Sequence, residues 1–139
     1  MKRKKTVKLD ELLIARVTEF LHPYLQRLHD HSIENYGNKI EVFGKTDGTP
    51  TSLFTLIQLE INDEWEQVFI PKIYLPLLLR HQGIGKRLIK VVYDAAAQLK
   101  YELFIAQMTD SFHARMIKRG ALQCEQPDMV QIVGSTVLD

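Results

Sequence analysis

The spacing of apolar residues changes along the chain, and each change marks a predicted element. Apolar residues recur at helical intervals over residues 9–36, which predicts helical structure. Pro23 interrupts this run, and because a proline deep inside a helix costs about 3 kcal/mol, we divide the run near His22. The first part of the chain therefore predicts two consecutive helices, with residues 6–8 as the candidate for a preceding strand.

Strand-like alternation follows this helical part. Residues 39–42 alternate as a half-buried strand does, residues 53–61 are apolar and β-rich, and residues 68–75 form a third strand. Turn-forming residues, among them an Asp-Gly pair, separate these segments. Pro71 lacks the N–H that a β-ladder needs, so we expect a bulge or an unpaired edge at that position.

The next two segments predict a parallel strand pair. Residues 84–99 carry a strongly amphipathic helical pattern. Residues 103–106 form a continuous apolar run, as expected of a strand that is buried on both faces. A strand, a crossover helix and a parallel strand make a right-handed βαβ unit.

One more helix and two short strands complete the predicted order. The helix covers residues 112–119 and ends at Gly120, and its cap is one of three preceding polar residues, Thr109, Asp110 or Ser111. The closing strands are residues 122–124 and 129–138. The predicted fold class is α+β, with a mixed, mostly antiparallel central sheet that is flanked by helices and contains the βαβ unit.

Composition and charge restrict the class of protein. At 139 residues the chain is most simply one domain, residues 1–139. Its net charge of +1 gives no reason to expect nucleic acid or a membrane as a partner, and no run approaches the roughly 20 apolar residues of a membrane span. The single cysteine, Cys124, fits a reducing compartment. We expect a cytoplasmic protein whose basic tip, residues 2–5, is a solvated terminus.

A glycine-containing stretch between the third strand and the amphipathic helix has the chemistry of a phosphate site. The N-terminus of a helix leaves about four N–H groups unpaired and carries roughly half a positive charge. Glycines allow a phosphate to approach the backbone, and nearby arginine and lysine side chains add positive charge. The stretch is Arg80-His81-Gln82-Gly83-Ile84-Gly85-Lys86-Arg87.

Two common nucleotide motifs do not match this stretch. A dinucleotide-binding fingerprint requires a third glycine where Leu88 stands. A Walker loop requires a glycine and a Ser or Thr at the positions of Arg80 and Arg87. From the local pattern alone, a glycine helix start with no ligand remains the alternative.

The spacing Arg80-x-x-Gly83-x-Gly85 resembles the acetyl-coenzyme A loop of the GNAT superfamily of N-acetyltransferases. The preceding Ile-Tyr-Leu-Pro at residues 73–76, followed by Leu79, is similar to the strand and loop start of that family. The predicted order of elements resembles the GNAT order over nearly the whole chain, apart from the first strand.

The resemblance implies transfer of an acetyl group from acetyl-CoA to a primary amine of a small molecule or a peptide. Transfer would occur by direct attack in a ternary complex, without a metal. The loop would bind the pyrophosphate, and the backbone of the preceding strand would bind the pantetheine arm and polarise the thioester carbonyl. The implied cofactor-binding residues are Ile73, Tyr74, Leu75, Arg80, His81, Gln82, Gly83, Ile84, Gly85 and Lys86.

The general acid is where the sequence departs from this family. Many GNAT enzymes carry a tyrosine about four residues before the glycine that ends the last helix, and Met116 stands there. An asparagine that is common at the start of that helix is replaced by Thr109 or a neighbour. His113, one turn earlier, is a candidate acid, with a surface helix histidine as the alternative. The departure keeps a non-catalytic acyl-CoA-binding or regulatory module as the rival function.

Acidic residues supply the candidate base. Glu66 stands at the head of the third strand, and it is either a base that acts directly or through water, or a member of a solvated acidic turn. Together with Glu60, Asp63 and Glu64 it would favour a cationic amine acceptor. Cys124 has no evident base partner and is predicted to be a small buried hydrophobe. The expected partners are acetyl-CoA and an unknown amine, and the chain is a monomer or a homodimer.

Overall fold

The computed structural model describes residues 8–139. The basic tip at residues 2–5 lies outside the described residues, and so does the candidate strand at residues 6–8 except for Lys8. Lys8 has extended backbone angles and directly precedes the first helix.

The described residues form a seven-stranded sheet with three α-helices. The elements in chain order are α1 (Leu9–Leu25), β1 (Asp30–Asn35), β2 (Lys39–Lys45), β3 (Leu53–Asn62), β4 (Gln67–Ile73), α2 (Ile84–Gln98), β5 (Glu102–Ile105), α3 (Asp110–Lys118), β6 (Leu122–Gln123) and β7 (Val130–Ile132), with short 3₁₀ turns at Pro50–Ser52 and Leu77–Leu79. The order across the sheet is β1-β2-β3-β4-β5-β7-β6. Strands β4 and β5 are parallel, whereas the other neighbouring pairs are antiparallel. The predicted α+β fold class, with a mixed, mostly antiparallel sheet, is confirmed.

The predicted pair of helices at the start of the chain is wrong. Pro23 lies inside α1, which continues to Leu25. Because Pro23 is in the last turn, its missing N–H removes one hydrogen bond at a helix end and does not break a helix interior. The second predicted helix is replaced by β1, which pairs with β2 along its whole length. Only Ile33 of β1 is even partly buried, so this edge strand has too few apolar residues to show an alternating pattern.

The strands β2, β3 and β4 occur where alternation predicted them, and the expected irregularity at Pro71 is confirmed. Gln58 of β3 pairs with Lys72 of β4, whereas Glu60 pairs with Phe69. Two residues of β4, Ile70 and Pro71, therefore lie opposite one residue of β3. This is a β-bulge at a residue that cannot donate to the ladder.

The βαβ unit is confirmed, but its second strand is buried on one face only. Leu103 and Ile105 of β5 are buried, and they join the same hydrophobic core as the inner faces of α1 and α2. Phe104 points to the opposite face and is half-buried, with its ring stacked on Phe69 at a centroid distance of 5.3 Å. The continuous apolar run thus reflects a stacked aromatic pair across β4 and β5, not a covered second face.

The last helix is capped by one of the three predicted residues, but it begins two residues earlier than predicted, at Asp110, and it ends at Lys118. The Thr109 Oγ1 accepts a hydrogen bond from the Phe112 N–H, which caps α3, and Gly120 follows the helix with a φ of 100°. The two closing strands are shorter than predicted. Strand β7 ends at Ile132, and a turn follows in which the Thr136 Oγ1 accepts from the Val133 N–H.

Candidate active site

The site forms where the two parallel strands separate. β4 pairs with β5 only as far as Ile70 and Ile105, and the Ala106 N–H then donates to the Ile70 carbonyl at 3.0 Å. Beyond the bulge at Pro71, β4 stays paired with β3 alone. The carboxyl ends of parallel strands are the usual place for a ligand crevice in sheets with crossover helices. This gap lies directly beside the start of the glycine loop.

The backbone of β4 presents a free edge to this gap. Ile73 lies opposite Ile57 of β3, and the next residue, Tyr74, donates its N–H to the Leu56 carbonyl at 2.8 Å. In an antiparallel ladder, bonded and non-bonded pairs alternate, so the Ile73 N–H points away from β3. It points into the gap, where the sequence predicted that a pantetheine arm would bind.

The N-terminus of α2 is left without a protein cap. Gly83 is its N-cap residue, no side chain caps the helix, and its first turn contains no acidic residue. The Arg87 N–H is the first to make a helical bond, to the Gly83 carbonyl at 3.2 Å. By contrast, α1 has acidic residues in its first turn and α3 has a threonine cap. The first-turn amides of α2 and its positive dipole end are therefore arranged for an external anion.

The loop before α2 is bent by residues in the left-handed region. His81 has a φ of 63° and Gly83 has a φ of 72°. Turns of this kind direct successive N–H groups toward one concave side, which can hold an anion. A Cβ built at Gly85 would meet Leu75 at an ordinary 3.6 Å, so packing within the protein does not require glycine at this position. The space beside Gly85 is suited to a bulky group that approaches the backbone.

Two of the predicted cations, Arg80 and Lys86, lie at the two ends of this loop. The Arg80 Nε donates to the Leu75 carbonyl at 2.6 Å, and the Arg80 guanidinium lies 5.3 Å from the centre of the Tyr74 ring. The Lys86 Nζ donates to the Asp139 backbone oxygen at 3.2 Å. Arg80 lies in the loop before α2, and Lys86 lies in the first turn of α2. The structure therefore brings the predicted cofactor-binding residues 73–75 and 80–86 together at the carboxyl end of β4.

Arg27 is a residue of this region that the sequence analysis missed. It follows α1, and its guanidinium donates to the Leu78 carbonyl and to the Gln82 side-chain oxygen, each at 3.1 Å. The two partners are more than fifty positions away in the sequence, and a single arginine after an amphipathic helix carries no motif. Only the packing of α1 beside α2 brings Arg27 to the loop.

The candidate acid, His113, is at the same end of the sheet as the gap between β4 and β5. α3 starts five residues after the last paired residue of β5, and His113 is in its first turns. The His113 Nε2 is shielded from solvent and has no hydrogen-bond partner among residues 8–139. The His113 side chain as a whole is half-buried, so a surface helix histidine stays the alternative. Met116, which stands at the position of the family's tyrosine, is buried in the core and cannot donate a proton.

The candidate base is at the opposite end of the sheet. Glu66 directly precedes β4, and its carbonyl accepts from the Glu102 N–H at the start of β5. At about 3.3 Å per residue, the seven positions from Glu66 to Ile73 span roughly 20 Å. The acidic turn that contains Asp63 and Glu64 lies at the same far end. The structure therefore does not bring Glu66 or this turn to the gap, because the length of β4 separates them.

The far end contains an arrangement that the sequence did not indicate. The Tyr101 hydroxyl donates to the Asp63 Oδ1 at 2.6 Å. This hydrogen bond, with burial and the negative charge of Asp63 as smaller causes, raises the pKa of Tyr101 to about 12. A groove of about 650 Å³ lies there as well, and it is lined by residues such as Asp63, Leu99 and Tyr101 and by none of the loop residues.

The remaining sequence candidate is Cys124. Its thiol is partly buried just after β6, and burial raises its pKa. A raised pKa lowers the fraction of reactive thiolate. Within residues 8–139, no group of three or more His, Cys, Asp or Glu side chains is placed to hold a metal ion. The same residues contain no helix with both the length and the apolar composition to cross a membrane.

Comparisons with known proteins concern the fold. No protein-family model and no curated protein sequence matches the chain. A solved acyl-CoA N-acyltransferase from Pseudomonas aeruginosa is similar, with 19% identity, a TM-score of 0.44, and coverage of 91% of this chain and 89% of the other. A Klebsiella pneumoniae protein, assigned by inference as an acyl-CoA N-acyltransferase, has 15% identity and a TM-score of 0.46 over 92% of this chain and 93% of its own.

Proposed function

We propose that the protein transfers an acetyl group from acetyl-CoA to a primary amine of a small molecule or a peptide, by direct attack in a ternary complex. The observation that carries this proposal is the uncapped N-terminus of α2 beside the gap between β4 and β5. One end of this site suits a pyrophosphate, and the other end offers an unpaired strand edge to an extended arm.

The loop supplies the phosphate-binding part. The first-turn amides of α2 donate to phosphate oxygens, and the helix dipole adds positive potential. Arg80 and Lys86 supply full charges at the same end. Gly85 keeps the approach free of a side chain. Because coenzyme A carries several phosphate charges, this part contributes most of the binding energy and holds the molecule in one orientation.

The strand supplies the orientation of the thioester. The Ile73 N–H points into the gap and donates either to the amide carbonyls of the pantetheine arm or to the thioester carbonyl. A fixed N–H dipole stabilises the negative charge that develops on a carbonyl oxygen under attack. The bulge at Pro71 is what separates this part of β4 from β5, so the irregularity makes room for the arm.

The transfer itself needs few protein groups. The lone pair of a neutral amine attacks the thioester carbon, the C–N bond forms, and the C–S bond breaks with its electrons on sulfur. The amine loses one proton to water or a base, and the departing thiolate gains one. His113 is the proposed donor to the thiolate, because it is the ionisable side chain of α3 that is turned inward at this end. Cys124 takes no part, so no acyl-enzyme forms.

The acceptor class rests on the resemblance and not on the acidic turn. The sequence suggested that Glu60, Asp63, Glu64 and Glu66 would attract a cationic amine to the thioester. The acidic turn lies at the far end of β4, and an exposed charge about two Debye lengths from the gap is largely screened at physiological salt. Water is therefore the proposed carrier of the amine proton in place of Glu66.

A non-catalytic acyl-CoA-binding module is the second candidate, and Met116 favours it. Its side chain is buried where the family's acid would stand, so a binding protein on this fold would look the same at that position. The two functions differ in turnover and not in binding. We expect coenzyme A to bind in calorimetry, and we expect release of free thiol from acetyl-CoA only when an acceptor amine from a panel is added.

The outcomes of this experiment separate the two functions. Amine-dependent thiol release, with acetylated amine recovered in equal amount, supports the enzyme. Coenzyme A binding without release for any small amine or N-terminal peptide supports the binding module. Absence of coenzyme A binding would contradict both.

A further inference from the structure

The guanidinium of Arg87 is turned toward the inner side of the glycine loop. Its Nη2 donates to the Gln82 carbonyl at 2.9 Å, and its Nε donates to the Gly83 carbonyl at 3.2 Å. The side chain is partly buried. Arg87 therefore donates two side-chain hydrogen bonds to the backbone of the loop that precedes it.

Two aromatic residues of α1 hold Arg87 in this position. The Arg87 Nη2 lies 3.4 Å from the Tyr24 hydroxyl, and its guanidinium lies 5.6 Å from the centre of the Phe20 ring. The two rings contact each other at a centroid distance of 5.7 Å. A planar guanidinium can stack on a ring and donate in two directions at once, whereas a lysine ammonium is a point charge without this geometry.

These contacts determine where the loop amides point. In a trans peptide the C=O of one residue and the N–H of the next lie on opposite sides of the same plane. When Arg87 holds the Gln82 carbonyl inward, the Gly83 N–H must point outward. The Gly83 carbonyl also accepts the first helical bond, from the Arg87 N–H, so the Arg87 Nε reinforces a direction of the Ile84 N–H that the helix already sets. The outward side is the one on which the proposed site receives phosphate.

Arg27 acts on the other side of the same turn. It donates to the Leu78 carbonyl and to the Gln82 side-chain oxygen, and the Gln82 Nε2 donates to the same Leu78 carbonyl at 3.0 Å. Arg27, Gln82 and Leu78 thus form a closed set of hydrogen bonds across the loop. These bonds are exposed to solvent, as is the Arg87 bond to the Gln82 carbonyl, whereas the Arg87 bonds to the Gly83 carbonyl and the Tyr24 hydroxyl are partly buried.

We propose that Arg87, assisted by Arg27, is a positioning residue that orders the glycine loop from behind so that its amides converge on phosphate. Neither arginine contacts the phosphate itself. This inference rests on the proposed function, since it concerns the same site. It differs from the sequence-based expectation, in which Arg87 was one of the charges that could bind phosphate directly.

The test compares Arg87→Met with Lys90→Met. Lys90 is exposed and lies one turn further along α2. The Lys90→Met substitution removes the same unit of charge as Arg87→Met, so it controls for long-range electrostatics. The first measurement is hydrogen exchange of the loop amides in the protein alone. The hydrogen-bonded amides at the two ends of the loop are the Arg80 N–H, bonded to Leu77, and the backbone N–H at position 87, bonded to Gly83. We expect their exchange to be about tenfold faster in Arg87→Met and unchanged in Lys90→Met. Arg27→Met should show a smaller change in the same amides.

The second measurement is the affinity for coenzyme A and for pantetheine, which lacks the pyrophosphate. We expect Arg87→Met to weaken coenzyme A binding about tenfold, to leave pantetheine binding unchanged, and to keep the salt dependence of the wild type. Arg87→Lys should fall between, because one ammonium cannot reproduce two directed bonds.

Each result decides between the explanations. Unchanged loop exchange in Arg87→Met overturns the inference whether or not coenzyme A binds. Equal losses of affinity for coenzyme A and pantetheine would show that Arg87 only stabilises the fold, and would overturn the inference. A flattened salt dependence would show that Arg87 contacts phosphate directly, and would also overturn the inference. If the wild type does not bind coenzyme A, the proposed function fails, and the positioning role fails with it.

Discussion

The Arg80 Nε donates a 2.6 Å hydrogen bond to the Leu75 carbonyl, so the cation that begins the glycine loop is tied to the backbone just after β4. The 3₁₀ turn Leu77–Leu79 lies between these two residues. The bond closes this turn and places the guanidinium at the junction of the two halves of the site. Arg80 is thus a link between the strand edge and the phosphate loop as well as a charge.

Replacement of Arg80 tests the charge at this junction. We expect Arg80→Ala to weaken coenzyme A binding by about tenfold and to flatten its dependence on salt, because an exposed charge that faces phosphate is screened by added ions. Titrations at several salt concentrations measure both effects. Arg16→Ala is the control, since Arg16 is an exposed arginine that contacts Gln98 at the other end of α2. A wild-type affinity that is independent of salt would contradict a cationic phosphate site.

Replacement of Gly85 tests the approach of the phosphate to the backbone. We expect Gly85→Val to abolish coenzyme A binding while the protein stays folded, because the added side chain meets little of the protein but fills the space beside the α2 amides. Gly83 is a poorer choice, since its φ of 72° would strain any replacement. Gly48→Val, in an exposed hairpin turn, is the matched control. Undiminished affinity in a folded Gly85→Val variant would place the phosphate elsewhere.

Replacement of His113 tests the proton donor. We expect His113→Gln to lower kcat by roughly tenfold, less than the usual 10² to 10⁴ for a general acid, because a thiolate leaves readily even when it is not protonated. The affinity for acetyl-CoA should not change, since His113 has no role in phosphate binding. Steady-state kinetics and calorimetry measure the two quantities separately.

Glu66→Gln is the comparison for His113→Gln. Its side chain is roughly 20 Å from Ile73, so we expect kcat and its pH profile to match those of the wild type. A large loss of turnover in Glu66→Gln would contradict the position that the proposed function gives to the reacting atoms.

Replacement of Tyr101 tests the hydrogen bond at the far end of the sheet. We expect Tyr101→Phe to lower the free energy of unfolding by about 1 kcal/mol at neutral pH. The pKa of Tyr101 is raised to about 12 in the folded protein, so its contribution is complete below the ordinary tyrosine pKa near 10 and is lost as pH rises toward 12. Denaturant titrations should show the gap between wild type and variant closing over this interval.

The exposed Tyr36 provides the control for that measurement. Its side chain is 59% exposed, so Tyr36→Phe should change the free energy of unfolding little at any pH. A stability gap between wild type and Tyr101→Phe that stays constant from pH 9 to pH 12 would contradict the assigned cause of the pKa shift.

The sequence by itself determined the parts of the site that depend on local chemistry. Pro71 required an irregular ladder, Gly83 permitted a tight turn before a helix, and Gly120 marked the end of α3, with Thr109 as one of three candidate caps. Each of these follows from the backbone angles or the missing donor of a single residue, which the surroundings seldom change. The parallel pair followed from the order strand, helix, strand.

Only the tertiary structure decided which distant residues meet. The segment predicted as a second helix is strand β1, because pairing with β2 outweighs the helical propensity of this polar segment. It placed Glu66 at the far end of β4 from the gap, because the whole length of that strand lies between them. It brought Arg27 to the loop, because packed helices join residues that are far apart in sequence. It also turned Arg87 inward, a direction that depends on Phe20 and Tyr24. Side-chain direction and long-range contact result from packing, and a linear pattern of residues does not contain them.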